Sequence, residues 1–497
     1  MASASDPERA DVVVVGGGIA GLTSALALRE AGLEVTLVER DGHLGGRAAS
    51  WTDPTTGDPV AIGPHVFVSY YPNLLKLLDA LGTRDRIVWH RREFLTFVEG
   101  QRRHTLRMSA LPAPLHFLPS SFADPTVGPR DLWSNLSVSL LCMQLSEDDV
   151  LRLDALNASA FLRAMGVSEN TLRRFWSFAA MSILNVPLEL CSAGALMRFY
   201  RHLIGTSGYC FGFPDGGLGD VYAPCARQRL EALGGRVLLR APVASFAGTA
   251  GHATGVVLED GRRLDARLGV VSALPPNALR RLVRPEWLAE HACFQQLVHF
   301  QPCPYVSTQL WFDEKLTELP FWARVHSPND LNCDFYDLSN INRGWSDRPS
   351  VIATNCIYSH RAAHLTDDEV IAATVRELAE FLPRAAQAKV VHAAVNRVPM
   401  AIHCPFPGME RRRPPTRSPV RGLVLAGDWI KTGMPSCMES AARSGWLAAE
   451  EVLRWGGVDR KLALDPPEAD GFARLVLRAR RLLPFDALPR SVRRMAG

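Results

Sequence analysis

Apolar and polar positions alternate along the chain in blocks with different periods. Asp11-Val12-Val13-Val14-Val15 is a β-branched run that stops at Gly16-Gly17-Gly18-Ile19-Ala20-Gly21, which predicts a buried strand ending in a tight turn. TSALALREAG follows, with Leu22, Ala25, Leu26 and Ala27 on one apolar side and Gly32 at its end, the pattern of a helix. Leu33–Glu39 predicts a second strand, completing one βαβ unit. Residues 147–205 read mostly helical, and Leu218–Leu233 predicts one more helix. GGRVLLRAPVASFAG predicts a strand after a glycine turn, and ATGVVLEDGRRLDARLGVVSALP a hairpin turning at Asp260-Gly261 before a buried strand. YVSTQLWFDEKL and SVIATNCIY predict strands, whereas DDEVIAATVRELAEFL has the spacing of an amphipathic helix, with Val370, Ile371, Val375, Leu378 and Leu382 on its apolar face. Leu423–Ala426 predicts a short strand ending at Gly427-Asp428, and a helix follows from about Met438.

The glycines of the first turn each suit a task in holding a dinucleotide. Gly16 allows the tight turn, Gly18 lets a pyrophosphate approach the backbone, and Gly21 lets helix and strand pack closely. Glu39 lies 21 residues beyond Gly18, the spacing of a carboxylate that accepts hydrogen bonds from a ribose; an acid there argues against a bound 2′-phosphate. With Arg40 beside it, Glu39 is placed in the cofactor site. Gly45, Gly46 and Arg47 come next: the glycines let the chain lie against the dinucleotide, and Arg47 can neutralise pyrophosphate charge. Near the other end, Gly427 and Asp428 close a strand, and Asp428 can accept a hydroxyl or water. The helix opening at Met438 points its free N–H groups at an anion, which in a flavoprotein is the N1–C2=O edge of the reduced ring.

The Gly45-Gly46-Arg47 segment resembles the GGR signature of the flavin amine oxidase and carotenoid desaturase superfamily. PGMERRRPPTRSPVRGLVLAGDWIKTGMPSCMESAARSGWLAA resembles the C-terminal end of plant-type phytoene and ζ-carotene desaturases. Gly63-Pro64-His65-Val66-Phe67…Tyr71-Pro72-Asn73 and Leu310–Leu316 agree with it, so the resemblance runs with gaps from about residue 10 to 455. Hydroxysqualene dehydroxylases and bacterial β-carotene desaturase/methyltransferases share much of the pattern. The resemblance implies FAD, an apolar isoprenoid substrate and often a quinone as electron acceptor. It also implies an α/β fold: a Rossmann-like FAD-binding domain of the GR2/amine-oxidase type with an inserted mixed α+β substrate domain. Residues 8–90, 215–290 and 395–457 form the expected cofactor domain, 91–214 and 291–394 the substrate domain, and 458–497 a basic amphipathic tail. Val243 and Ser272-Ala273-Leu274-Pro275 then line the cofactor. Cys437 and Met438 stand where a flavin amine oxidase places an aromatic residue, which weakens the alternative of an amine oxidase using dioxygen.

Desaturation sends a hydride to flavin N5 and a proton elsewhere, so the protein's part is mainly to orient the chain and exclude water. No GxSxG, HExxH or P-loop lysine is present. His65 is the candidate catalytic base or flavin-facing residue, since its ordinary pKa lies near working pH; a packed histidine beneath the ring is the competing reading. Phe175, Trp176, Phe178, Met181, Phe199, Tyr200, Phe211 and Phe213 suit either an apolar tunnel or plain core. Lys431 and Arg443 fit surface roles better than a place at the flavin. His403 and Cys404 precede the C-terminal motif, and non-covalent FAD is expected.

Composition narrows the partners. With 55 basic and 51 acidic residues the net charge is +4, too balanced to point to nucleic acid. None of the 10 cysteines forms a CxxC or joins a histidine at zinc spacing, so no metal is expected and reduced, buried thiols are. No apolar stretch reaches the roughly 20 residues that span a bilayer, and the N-terminus lacks the pattern of a signal peptide. A cytoplasmic protein is expected, with peripheral contact to the cytoplasmic membrane face through two segments. One is the proline-broken stretch Leu111–Phe122. The other is the tail from Gly471, where Arg474, Arg478, Arg480, Arg481, Arg490, Arg493 and Arg494 face the single acid Asp486, interleaved with Leu475, Val476, Leu477, Leu482, Leu483 and Phe485.

Overall fold

The computed structural model describes residues 8–91, 95–482 and 488–496. Leu483, Phe485 and Asp486 of the expected tail lie outside the described residues, as do the side chains of Arg480, Arg481 and Leu482.

The valine run forms the strand Glu8–Val15 at the centre of a seven-stranded sheet. Val12, Val13 and Val14 are fully buried, as a strand covered on both faces requires. Val35–Val38 pairs parallel to one side of it and Arg263–Ser272 to the other. The late strand Leu423–Leu425 pairs parallel to Arg263–Ser272, with Val271 opposite Val424. Segments some 400 residues apart in sequence thus meet in one sheet. Helices Ile19–Glu30 and Met438–Trp455 cross closely: a Cβ on Gly445 would lie 2.5 Å from the Ala20 carbonyl oxygen.

Two sequence expectations change here. The single strand expected in GGRVLLRAPVASFAG is two strands, Arg236–Leu238 parallel to Val35–Val38 and Val243–Thr249 in an antiparallel pair. The break falls at Arg240, whose φ of 51° turns the chain while its N–H donates to the Asp41 carbonyl. Conversely, the second hairpin arm and the buried strand after it are one strand, Arg263–Ser272, which pairs antiparallel with His252–Leu258 and parallel with Glu8–Val15.

A second seven-stranded sheet runs in the order Val390–His403, Pro302–Phe312, Val351–Ile357, Asp334–Asp337, Phe321–Arg324, Leu95–Glu99, Arg102–Leu106. One core joins Phe321, Ala323, Tyr336 and Ala353 of this sheet to Ala179, Ala180 and Leu196 of the helical stretch. Helix Asp367–Ala379 starts at a capping box, with Thr366 accepting from the Glu369 N–H. The strand Val390–His403 runs unbroken through positions 394 and 395, carrying the second sheet toward the C-terminal motif. Among the described residues no helix is long and apolar enough to cross a membrane.

Candidate active site

A continuous cavity of about 1430 Å³ is bounded by residues of both sheets. Gly16, Gly18, Glu39, Arg40, Gly45, Gly46 and Arg47 line one end, together with Val243, Ala273, Leu274 and Pro275; Ser272 does not. Gly427, Asp428 and Met438 join them from the far end of the sequence. Gly21 alone among the expected glycines is off the wall, and its role is packing, since a Cβ there would sit 1.8 Å from the Gly16 carbonyl oxygen.

The geometry suits an extended anion. Helix Ile19–Glu30 begins at Gly18 with no side-chain cap and no acid in its first turn, so its leading N–H groups are left for a ligand. A Cβ on Gly18 would meet only the Gly45 oxygen, at 4.0 Å, so the space above this backbone is open. Glu39 is buried and accepts the Gly17 N–H at 2.7 Å and the Asp41 N–H at 3.0 Å, bracing the turn while its carboxylate keeps lone pairs at the wall. Arg40 is exposed at the rim and faces Asp41 at 3.4 Å.

Arg47, expected to neutralise pyrophosphate charge, and Asp428, expected to accept a hydroxyl or water, are paired with each other in the structure. Nη2 lies 2.5 Å from Asp428 Oδ1, Nη1 lies 3.3 Å from Oδ2, and Nη1 also donates to the Ala401 carbonyl at 3.0 Å. The side-on geometry needs two N–H vectors, and two of the five guanidinium N–H groups remain for another acceptor. Behind Asp428, the fully buried Arg413 donates to the carbonyls of Asp428, Ile430 and Met434 at 2.8, 3.1 and 2.9 Å, fixing the loop. Burial brings its pKa down to about 10. The Gly427 N–H donates to Ser444 Oγ at 2.7 Å.

His65 stands on the cavity wall, half-buried. Its Nδ1 is 2.8 Å from the Gly63 carbonyl. A carbonyl only accepts, so Nδ1 carries the proton and Nε2 presents its lone pair. Burial lowers the imidazole pKa, and the nearby Arg47 charge lowers it further. Cys437 caps the helix at Met438, and burial pushes its thiol up to about 12, so it stays protonated.

Beyond this end the wall is aromatic. Phe175, Phe178, Phe199 and Phe211 line the cavity, whereas Trp176, Met181, Tyr200 and Phe213 belong to the core. Lys431 is exposed, and Arg443 donates to the Thr432 carbonyl at 3.1 Å and faces Asp465 at 3.2 Å; neither reaches the wall. His403 and Cys404 are buried off the wall, with His403 Nδ1 3.3 Å from Ser436 Oγ. Among the described residues no group of three metal-ligating side chains occurs.

Sequence reasoning missed several contributors. The buried Tyr222 hydroxyl lies 2.8 and 3.1 Å from the carbonyls of Gly45 and Ala48 and buttresses that turn. Tyr70 and Tyr71 line the cavity beside Cys437, with ring centroids 5.6 Å apart. Tyr305, Asp334, Tyr336 and Asn355 come from the second sheet. Only the Tyr71-Pro72-Asn73 stretch carried any signal for these.

The profile of flavin containing amine oxidoreductases matches residues 19–453. The chain belongs to this family. Members are FAD-dependent oxidoreductases, and FAD is the cofactor of this protein. The chain is 27% identical over 458 residues to 15-cis-phytoene desaturase of Synechococcus elongatus, covering 89% of this chain and 95% of that one. It is 30% identical over 478 residues to a carotenoid phi-ring synthase of Streptomyces griseus, covering 90% and 88%. Among solved structures, putrescine oxidase bound to putrescine superposes with a TM-score of 0.70 at 21% identity over 90% of this chain and 99% of that one, which shows that the two chains share a fold.

Proposed function

We propose that this flavoprotein desaturates a carotenoid-type isoprenoid. One observation carries the reading: the cavity runs without a break from the dinucleotide end to the phenyl rings of Phe175, Phe178, Phe199 and Phe211. An elongated apolar chain fits such a passage, and relatives named for phytoene desaturation and carotenoid phi-ring synthesis span nearly the whole chain. FAD, when bound, accepts the two electrons of the oxidation. Gly16, Gly18, Gly45 and Gly46 supply the close backbone, Glu39 and Arg40 the ribose side, Arg47 a guanidinium for the pyrophosphate, and Val243, Gly427, Asp428 and Met438 the remaining cofactor wall. Gly21 keeps that wall in place. His65, neutral and with Nε2 free of protein partners in the hydrogen-bond pattern above, is the candidate to face flavin or substrate. A quinone is the proposed electron acceptor.

The test is anaerobic bleaching of the purified flavin. Phytoene, ζ-carotene, β-carotene and hydroxysqualene are offered beside common amines. Bleaching by an isoprenoid and not by amines is expected. The amine reading has one observation in its favour, the Tyr70–Tyr71 pair beside Cys437, and rapid peroxide release with an amine and no quinone would establish it instead.

Peripheral membrane contact belongs to the same proposal. Helix Pro129–Gln144 exposes Trp133, Leu136 and Leu140 along one side, and helix Gly471–Leu482 packs against it with Phe472 and Leu475 exposed. Phe122 is 70% exposed nearby in the chain. Exposed Arg474 and Arg478 add positive charge. Flotation on anionic liposomes of the full chain, and of a form ending before Gly471, tests this; equal recovery of both in the aqueous fraction rejects it.

A further inference from the structure

Asp334 opens the strand Asp334–Asp337 on the cavity wall, 7% exposed. Its Oδ2 accepts the Tyr336 hydroxyl at 2.9 Å, and Asn355, on the neighbouring strand, also stabilises the carboxylate. The Tyr305 hydroxyl donates to Asn355 Oδ1. Oδ1 of Asp334 is buried with no hydrogen-bond partner. Among the described residues no lysine or arginine forms an ion pair with it, and burial pushes its pKa up to about 6.

A second buried carboxylate on the same strand shows what a structural role looks like. Asp337 accepts the Ser339 N–H and hydroxyl on Oδ1, at 3.1 and 2.6 Å, and the Ser350 hydroxyl on Oδ2 at 2.6 Å. Both its oxygens are satisfied from within the protein. Leaving a buried polar atom without a partner is costly, so the unpaired oxygen of Asp334, a residue of the cavity wall, points to a partner from outside the protein. A carboxylate calls for a hydrogen-bond donor. Asp334 lines the cavity and keeps 7% of its surface exposed, and the terminal torsion of an aspartate is soft, so its carboxyl can meet a donor that enters there.

Its place in the sheet separates it from the cofactor end. Asp334 lies three strands from Val390–His403, whose Ala401 carbonyl holds Arg47; at about 4.8 Å per strand that is roughly 14 Å. Contact so far from the Arg47–Asp428 pair bears on how a long ligand is positioned.

We propose that Asp334 accepts a hydrogen bond from a hydroxyl group carried by the isoprenoid substrate, and so sets which stretch of the chain lies at the FAD end. This rests on reading the cavity as an isoprenoid passage. It makes the preferred substrate a hydroxylated isoprenoid, not a bare hydrocarbon.

The test uses holoenzyme without turnover and reads the shift in the bound-FAD absorption spectrum on titration with three probes in detergent micelles: geranylgeraniol, the hydrocarbon of the same skeleton lacking the hydroxyl, and geranylgeranylamine. Wild-type protein is expected to bind the alcohol roughly 10- to 100-fold more tightly than the hydrocarbon, the range for a hydrogen bond to a charged group. Asp334→Leu is expected to abolish that preference while binding the hydrocarbon at least as well. Asp334→Asn, which keeps the shape, is expected to retain part of it and serves if the leucine variant does not fold. Equal affinity for alcohol and hydrocarbon in the wild type, or a preference unchanged in the folded variant, overturns the proposal. Tighter binding of the amine than of the alcohol also overturns it, in favour of an ammonium partner. If none of the probes perturbs the spectrum, the isoprenoid reading itself fails and this proposal with it.

Discussion

At the dinucleotide end of the cavity the decisive contacts are made by backbone: the open space above Gly18, the uncapped start of helix Ile19–Glu30, and the close approach of Gly21 to the Gly16 carbonyl. At the other end they are made by side chains, the rings of Phe175, Phe178, Phe199 and Phe211 from separate elements, with Asp334 among them. Backbone contacts tolerate few residue types at each position. Apolar walls tolerate many, provided volume and hydrophobicity are kept. The first end therefore carries a strong sequence signature and a high sensitivity to substitution, and the second carries neither.

The largest effect expected from this contrast is at Gly21. Even alanine would place its Cβ 1.8 Å from the Gly16 oxygen, forcing the helix away from the turn that ends the central strand. Gly21→Ala is expected to lose bound FAD and to destabilise the protein by at least about 3 kcal/mol, the upper range of overpacking costs; chemical denaturation and the flavin-to-protein absorbance ratio measure both.

Glu439 sharpens the comparison, because it is a side chain serving the dinucleotide end. It accepts the N–H groups of Asn73 and Leu74 at 3.1 and 2.8 Å, tying the start of helix Pro72–Leu81 to the start of helix Met438–Trp455. Burial raises its pKa from 4.5 to about 7. The folded state then binds more protons than the unfolded state between these values, so this group's stabilising contribution is fully present below pH 4.5 and is lost as pH rises through 7. Glu439→Gln is expected to flatten the stability–pH curve in that window by up to about 3 kcal/mol, read from denaturation midpoints at a series of pH values.

Arg47→Ala leaves the buried Asp428 carboxylate without its partner. About 2 kcal/mol of destabilisation is expected, below the full cost of breaking a buried pair because Arg47 is partly exposed. Adding Asp428→Asn to it should restore part of that loss in a double-mutant cycle. The smallest effect is at the aromatic end: Phe178→Leu is expected to cost about 1 kcal/mol, to leave FAD stoichiometry unchanged, and to alter isoprenoid affinity only a few-fold. Loss of FAD from Phe178→Leu, or its full retention in Gly21→Ala, would break the comparison.

The same contrast explains what was legible in the sequence. The valine run, the glycine turn, Glu39, the GGR segment and the Gly427-Asp428 strand end were readable because each answers a demand on the backbone or on a fixed charge. The break at Arg240 was hidden, since an arginine in the left-handed region leaves no glycine to mark it. Phe175 and Trp176 are adjacent and chemically alike, yet one lines the cavity and the other is core; they lie in the π-turn Leu172–Trp176, where the usual helical spacing does not predict the facing side. The Asp334–Asn355–Tyr305 set comes from separate strands that only tertiary packing brings to the cavity, and Tyr222 reaches the Gly45–Ala48 turn from a distant element, so no local pattern announces them.

The most direct test is titration of the apoprotein with FAD, followed by quenching of flavin fluorescence, for the wild type and for Gly18→Val and Asp428→Leu. One FAD per chain in the wild type, and a large loss of affinity in each variant, is expected if the first turn and the last strand hold one cofactor between them. Undiminished FAD binding in either variant, or a wild-type chain that stays colourless after reconstitution, would contradict it.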